Sequence, residues 1–173
     1  HMEFAYSNGA DALALTDHGN MNGLSYQVLH AKKMKAEGKD FKPIFGCEAY
    51  FIPSIEEWKE EYDQAMLDKK KARAAKKAGA SAASVEDEGA SKGKSSNVLR
   101  RRRHLVLLAQ NQTGLNNLFK LVSESYKDEN FYRYPRMDYK MLKGHGEVII
   151  ASSACLCGVY AGNYWENREE GPE

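Results

Sequence analysis

The chain has 173 residues, of which 42% are hydrophobic and 28% charged, values ordinary for a domain with a hydrophobic core. No apolar run approaches the roughly 20 residues of a membrane-spanning helix, and no secretory signal is visible, so we expect no membrane role. Three cysteines, an odd number, argue against a disulfide framework and indicate a reducing compartment. The net charge of +1 conceals a basic segment, since twelve of the 25 lysines and arginines lie between residues 68 and 103.

The first part of the chain predicts a βαβ unit with parallel strands. Residues 3–8 resemble the end of a helix, and the apolar run at residues 12–15 predicts a buried strand that leads into a Thr-Asp-His-Gly turn. A helix is expected over residues 22–37, because Leu, Val and Ala recur on one side and lysines gather near its end. A second strand is expected over residues 41–52.

The rest of the chain continues the alternation of helices and strands, which indicates an α/β fold. In chain order we expect a charged helix over 54–77, a strand over 104–110, a helix over 112–126, an aromatic and basic loop over 131–136, a short helix over 137–143, a strand over 147–152 and a frayed end over the last ten residues.

A charged segment over residues 55–101 is interpreted as an insertion within this fold. Its part over residues 78–99 contains mostly Ala, Ser, Gly and Lys, with almost no large apolar side chain, so we expect disorder there. Residues 1–2 resemble a cloning scar, which leaves residues 3–173 as one domain.

Each of the four predicted strands carries a side chain near one end that can bind a metal ion. These residues are His18, Glu48, His104 and Cys155. Imidazole, carboxylate and thiolate ligands together suit zinc, or a mixed site that also accepts manganese or iron. A carboxylate in an apolar strand is costly without a partner, which favours a role for Glu48. Cys47 would point to the opposite face of the same strand and is assigned to the core.

Structural alternatives exist for most of these residues. A histidine that follows a strand, such as His18, is often a hydrogen-bonded loop residue, and Asp17 is often a turn or helix-capping acceptor. His104 could be solvated beside the arginines that precede it. Cys155 and Cys157 could be small buried hydrophobic residues.

Two basic features could contact nucleic acid. The run of arginines before the third strand could bind phosphates, and the aromatic loop over residues 131–136 could stack on bases. A solvated charged insertion and a packing loop are the alternatives. The candidate contact residues are Arg101, Arg102, Arg103, Arg133 and Arg136.

Six segments of the chain, in order, closely resemble the polymerase-and-histidinol-phosphatase (PHP) domain of bacterial DNA polymerase III alpha subunits. They are Ala12–Gly23 (ALALTDHGNMNG), Lys42–Tyr50 (KPIFGCEAY), His104–Gln110 (HLVLLAQ), Thr113–Leu121 (TGLNNLFKL), Phe131–Met137 (FYRYPRM) and Val148–Gly158 (VIIASSACLCG). The resemblance covers most of the chain except the insertion and the C-terminal tail.

The resemblance implies a distorted (β/α)7 barrel with metal ions at the C-terminal ends of its strands. Carried over by position, His18, Glu48, His104 and Cys155 match metal ligands of the family, and Asp17 matches a supporting group. In family members with an intact site the domain is similar to a metal-dependent 3′–5′ exonuclease. In others it is a scaffold that docks the separate proofreading subunit, which is the alternative function here. The polymerase-specific segments disfavour a free-standing phosphatase.

The resemblance also implies that the chain is part of a longer protein, truncated at both ends. The family's His-x-His and Asp-x-His motifs and the polymerase carboxylates are absent, so we expect little hydrolysis and no polymerisation from the chain alone. The expected partners are DNA and other replicase subunits, including the proofreading exonuclease, in the cytoplasm at the nucleoid. The implied cofactors are a divalent metal, zinc first, for the PHP site and magnesium for the polymerase of the parent.

Overall fold

The computed structural model describes residues 1–77, 98 and 101–166. Six helices and six strands lie in these residues. In chain order they are α1 (Met2–Ser7), β1 (Ala12–His18), α2 (Leu24–Ala36), β2 (Lys42–Phe51), α3 (Ile55–Lys77), β3 (Arg103–Ala109), α4 (Gln112–Ser125), β4 (Phe131–Tyr132), β5 (Tyr134–Met137), α5 (Tyr139–His145), β6 (Ile149–Ser153) and α6 (Val159–Glu166).

Strand β2 lies at the centre of the sheet. Its first part pairs in parallel with β1, from Ala12 opposite Lys42 to His18 opposite Glu48, and its last two residues pair in parallel with β5. On its other edge β2 pairs with β3 in antiparallel fashion, and β3 pairs with β6 in the same way. Strands β4 and β5 form a short antiparallel hairpin. The described part of the chain is therefore an α/β structure with an open, mixed sheet.

The helices α2 and α4 cover one face of this sheet. The main core cluster joins β2, β3 and β5 to α4 and contains Ala49, Leu107, Leu118, Leu121 and Met137, all at most 1% exposed. At β1, the side chain of Leu15 lies against Gly23 at the start of α2. No helix in the described ranges is long and apolar enough to cross a membrane.

The parallel βαβ unit β1–α2–β2 is confirmed, and so is the charged helix that begins near residue 54. Two differences stand out, and one expectation stays untested. The predicted loop at 131–136 contains the hairpin β4–β5, whose tight turn places Arg133 at a φ of 60°. Helix α6 replaces part of the expected frayed end. The expected disorder over 78–99 lies outside the described residues, except at position 98.

Candidate metal centre

Three of the four predicted metal ligands converge at one end of the sheet. Donor atoms of His18, Glu48 and His104 all lie within 4.8 Å of one another. Glu48 Oε1 is 2.5 Å from His104 Nδ1 and 3.3 Å from His18 Nδ1, so one carboxylate oxygen faces both imidazoles. The side chain of Glu48 is 15% exposed and that of His18 is 63% exposed, which gives the cluster a closed floor and an open mouth.

The strand register explains this convergence. His18 stands opposite Glu48 in the β1–β2 pairing, and His104 stands opposite Tyr50 in the β2–β3 pairing. Side chains alternate between the two faces of a strand. Cys47 and Ala49 are fully buried toward the helices, so Glu48 and Tyr50 project from the opposite face. The assignment of Cys47 to the core is confirmed.

Cys155 reaches the cluster through His104. The backbone N–H of His104 donates to the carbonyl of Cys157 at 2.9 Å, and this bond fixes the loop after β6 beside the start of β3. The Sγ atom of Cys155 then lies 3.5 Å from His104 Nδ1. Both Cys155 and Cys157 are exposed, so the alternative of small buried residues is wrong for these two thiols.

Asp17 points away from the cluster and toward α2. Its Oδ2 accepts a hydrogen bond of 2.7 Å from the backbone N–H of Gly23, the residue that precedes α2. Carboxylates are favourable at helix N-termini because the amide groups there lack intrahelical acceptors. Asp17 thus ties the helix start to the strand end that carries His18.

The donor set of the cluster fits a divalent transition metal. Two imidazoles, one carboxylate and a nearby thiol are the ligand types that zinc sites use. The Glu48 carboxylate lies between the two imidazoles, and a bound cation would neutralise its negative charge. The residues present therefore fit a zinc-type ion, with manganese and iron as chemically related occupants.

Tyr50 and Tyr134 form an aromatic wall beside the cluster that the sequence analysis did not identify. The Tyr50 ring is parallel to the His18 imidazole at 6.4 Å and meets His104 at 5.6 Å and Tyr134 at 5.0 Å between ring centroids. Burial raises the pKa of Tyr50, partly offset by the positive charge of Arg102. The strand alternation that selects Glu48 also places Tyr50, two residues later, on the same face.

The candidate nucleic-acid residues occupy different environments. Arg102 stacks on the Tyr134 ring, and Arg133 is exposed near Tyr132. Arg101 forms an ion pair with Glu61 of α3. The guanidinium of Arg103 lies against Gly162 of α6.

Arg136 has a structural role in the interior. It is fully buried, lies 4.1 Å over the Trp58 ring and donates hydrogen bonds to the carbonyls of Arg101, Tyr132 and Tyr134. Burial lowers its pKa to about 10, so the guanidinium is still charged at neutral pH. A direct nucleic-acid contact by Arg136 is incompatible with this burial, which corrects that expectation.

The sequence model of the family described as PHP domain matches residues 1–169 of the chain. The chain belongs to the PHP domain family. It is also similar to curated proteins called DNA polymerase III subunit alpha. These come from Aquifex aeolicus (36% identical over 151 residues), Treponema pallidum (35% over 155 residues) and Chlamydia muridarum (35% over 158 residues).

These similarities extend over nearly the whole of this chain. The matched regions cover 87%, 89% and 91% of it, respectively. They cover 10% of each relative, so the chain spans about a tenth of the length of these proteins. The residues of the His18–Glu48–His104 cluster all lie within the range that the PHP family matches.

Proposed function

We propose that this PHP domain forms part of a metal-dependent phosphodiester-cleaving centre in a replicative DNA polymerase alpha subunit, of 3′–5′ exonuclease type in the intact protein. The observation that carries the proposal is the convergence of His18, Glu48 and His104 within 4.8 Å on one face of the sheet. The similarity to DNA polymerase III alpha subunits supports DNA as the substrate. The same context implies other replicase subunits as partners, in the bacterial cytoplasm.

The chain's own residues divide the work at this centre. His18, Glu48 and His104 would hold the ion, and Cys155 would supply a fourth donor from the loop after β6. The chemistry supplied by such a bound ion is a water of lowered pKa and positive charge beside the phosphate. Glu48 anchors the floor of the site, and Asp17 holds the end of β1 against α2 so that the His18 imidazole keeps its place.

Metal binding is the direct test, because it needs only the residues on this chain. Zinc titration by calorimetry should give one site on the unmodified chain, and Glu48→Gln should weaken zinc binding at least tenfold, because neutralising the shared oxygen removes its charge. Glu57→Gln, an exposed glutamate on α3, is the matched control and should leave zinc binding unchanged. Equal zinc affinities in the two variants would contradict the proposal.

Cobalt offers a second readout that reports on the thiol. Substitution of Co²⁺ should produce a thiolate-to-metal absorption band, and Cys155→Ser should abolish this band, whereas Cys157→Ser should retain it. If the band is lost in Cys157→Ser and kept in Cys155→Ser, Cys157 is the fourth donor and the assignment of Cys155 is wrong.

A further inference from the structure

Arg102 occupies an unusual position beside the candidate metal centre. Its Cζ lies 3.8 Å above the centroid of the Tyr134 ring and 5.3 Å from that of Tyr50. These two rings meet edge to face at 5.0 Å. A guanidinium this close to the face of an aromatic ring is stabilised there by a cation–π interaction, and its planar array of N–H donors matches the oxygens of a phosphate.

Tyr50 connects this guanidinium to the metal ligands. The Tyr50 centroid is 5.6 Å from the His104 ring centroid and 5.3 Å from Arg102 Cζ. Arg102 Cζ and the His104 ring centroid are therefore separated by no more than the sum of these two distances. The guanidinium and the metal ligands therefore line the same end of the sheet, where neighbouring phosphates of one DNA strand could reach both.

The neighbouring arginines lie farther from the tyrosine wall and contact other parts of the fold. Arg136 is buried under Trp58, Arg101 pairs with Glu61, and Arg103 lies against α6. Arg102 is half-buried, with its guanidinium on the tyrosine wall. Its charge also contributes to lowering the pKa of Arg136, so two cations lie within range of each other.

We propose that Arg102, held on Tyr134 and Tyr50, is an anion subsite that binds a phosphodiester group of single-stranded DNA next to the one at the metal ligands. The inference rests on the proposed function for its substrate class. Of the five candidate arginines, the proposal assigns the phosphate contact to Arg102, because its guanidinium lies on the tyrosine wall beside the metal ligands.

Binding of single-stranded DNA tests the subsite. Fluorescence anisotropy with a labelled octathymidylate, at low ionic strength, should show about tenfold weaker binding for Arg102→Gln, because a charged hydrogen-bonded contact is lost. Arg133→Gln makes the same change in net charge at an exposed arginine and should change binding less than threefold. Arg102→Lys keeps the charge but not the planar donors, and an intermediate loss is expected. Equal losses for Arg102→Gln and Arg133→Gln would overturn the proposal.

A measurement on the unmodified chain guards against misfolded variants. The Arg102 Nε–H signal in a two-dimensional NMR spectrum, assigned with Arg102→Lys, should shift on addition of octathymidylate, while that of Arg133 should not. A shift with inorganic phosphate alone, and none with the oligonucleotide, would reject a DNA subsite. Both DNA-binding experiments are run without metal and repeated on Glu48→Gln. If the metal centre is absent, the zinc titration shows no binding. If the subsite is absent, DNA binding and the NMR spectrum do not depend on Arg102.

Discussion

Gly19 occupies the turn that leads from His18 at the end of β1 toward α2. Its φ is +67°, in the left-handed region, and a Cβ built on it would lie 2.9 Å from both Pro135 Cγ and Tyr50 Cε2. The aromatic wall of the site therefore presses directly on this turn. Gly38, after α2, has a similar φ of +77° but nothing within 4 Å of its Cβ position.

Alanine substitutions at the two glycines separate backbone strain from crowding. Gly38→Ala should lower the free energy of unfolding by about 1–2 kcal/mol, the cost of a left-handed L-residue. Gly19→Ala should lose about 1–3 kcal/mol more, because Tyr50 and Pro135 must move. Urea denaturation measures both values. Equal losses would mean that the packing at Gly19 contributes nothing.

Cys47 is a buried thiol whose burial raises its pKa from 9.0 to about 12. The thiol stays protonated in the folded chain at pH values where it ionises in the unfolded chain, so unfolding releases a proton there. Stability should fall as the pH rises from about 9 toward 12. Cys47→Ala should reduce this loss of stability at alkaline pH, whereas Cys155→Ser, at an exposed thiol, should not. Urea midpoints at several pH values would measure the loss.

A chromogenic disulfide reagent at neutral pH should titrate two thiols quickly and the third only after unfolding.

The sequence could predict that His18, Glu48 and His104 each lie near one end of a strand, because strand ends are local properties. The structure brings the three side chains together. For His104, which lies at the start of β3, this convergence also requires the antiparallel pairing of β3 with β2. The burial of Arg136 was not predictable in the same way. Its partners are backbone carbonyls from two separate segments and a tryptophan on α3, which only the folded chain assembles.

At the scale of elements, one aspartate organises the starts of two helices. Asp138 is 5% exposed; its Oδ1 accepts a hydrogen bond from Met141 N–H in α5 at 2.9 Å and its Oδ2 accepts one from Ile55 N–H in α3 at 3.2 Å. Asn111 caps α4 alone, through a 3.0 Å bond from Gly114 N–H. At the junction of β5, α3 and α5, one side chain therefore accepts hydrogen bonds from the first turns of both helices.

Replacing the shared cap should cost more than replacing the single one. Asp138→Ala should reduce the free energy of unfolding by about 2–3 kcal/mol, because two helix amides lose their acceptor in a buried setting. Asn111→Ala should cost about 1 kcal/mol. Asp138→Asn, which retains one acceptor oxygen, should fall between the two. Chemical denaturation gives all three values, and a cost for Asp138→Ala no larger than that of Asn111→Ala would refute the shared cap.

The order and type of the elements were predictable, but the direction of β3 was not. Hydrophobic patterns identified β1, β2, β3 and α4 to within a few residues. Whether a strand returns parallel or antiparallel depends on where the chain re-enters the sheet, and β3 follows α3 and the long charged segment. The hairpin β4–β5 was missed because strands of two and four residues carry almost no periodic signal.

At the scale of the molecule, the helices α2 and α4 cover one face of the sheet, while the face that carries the site has exposed apolar residues. Ile150 of β6 is 51% exposed on that face, opposite Leu108. Within the described residues, β6 pairs only with β3 and β1 pairs only with β2. Sheet edges and apolar faces of this kind favour association between chains.

A charge on the exposed face should therefore reduce self-association. Ile150→Lys should shift the chain toward the monomer in size-exclusion chromatography with light scattering, because a lysine ammonium resists burial against a second sheet. Leu29→Lys on α2, where the leucine is 65% exposed, is the control and should leave the distribution unchanged. Equal behaviour of both variants would exclude the sheet face as the association surface.

Strand β2 touches three other strands and carries both Glu48 and Tyr50. The carboxylate at the floor of the site and the ring that supports it thus belong to the segment with the most sheet partners. Local openings that release only peripheral segments such as α1 or α6 leave this strand paired. Such openings require far less free energy than the separation of central strands, so they are the more frequent motions. The His18–Glu48–His104 cluster is consequently lost only when the sheet unfolds cooperatively. Fraying at the ends of the described chain leaves the three side chains together.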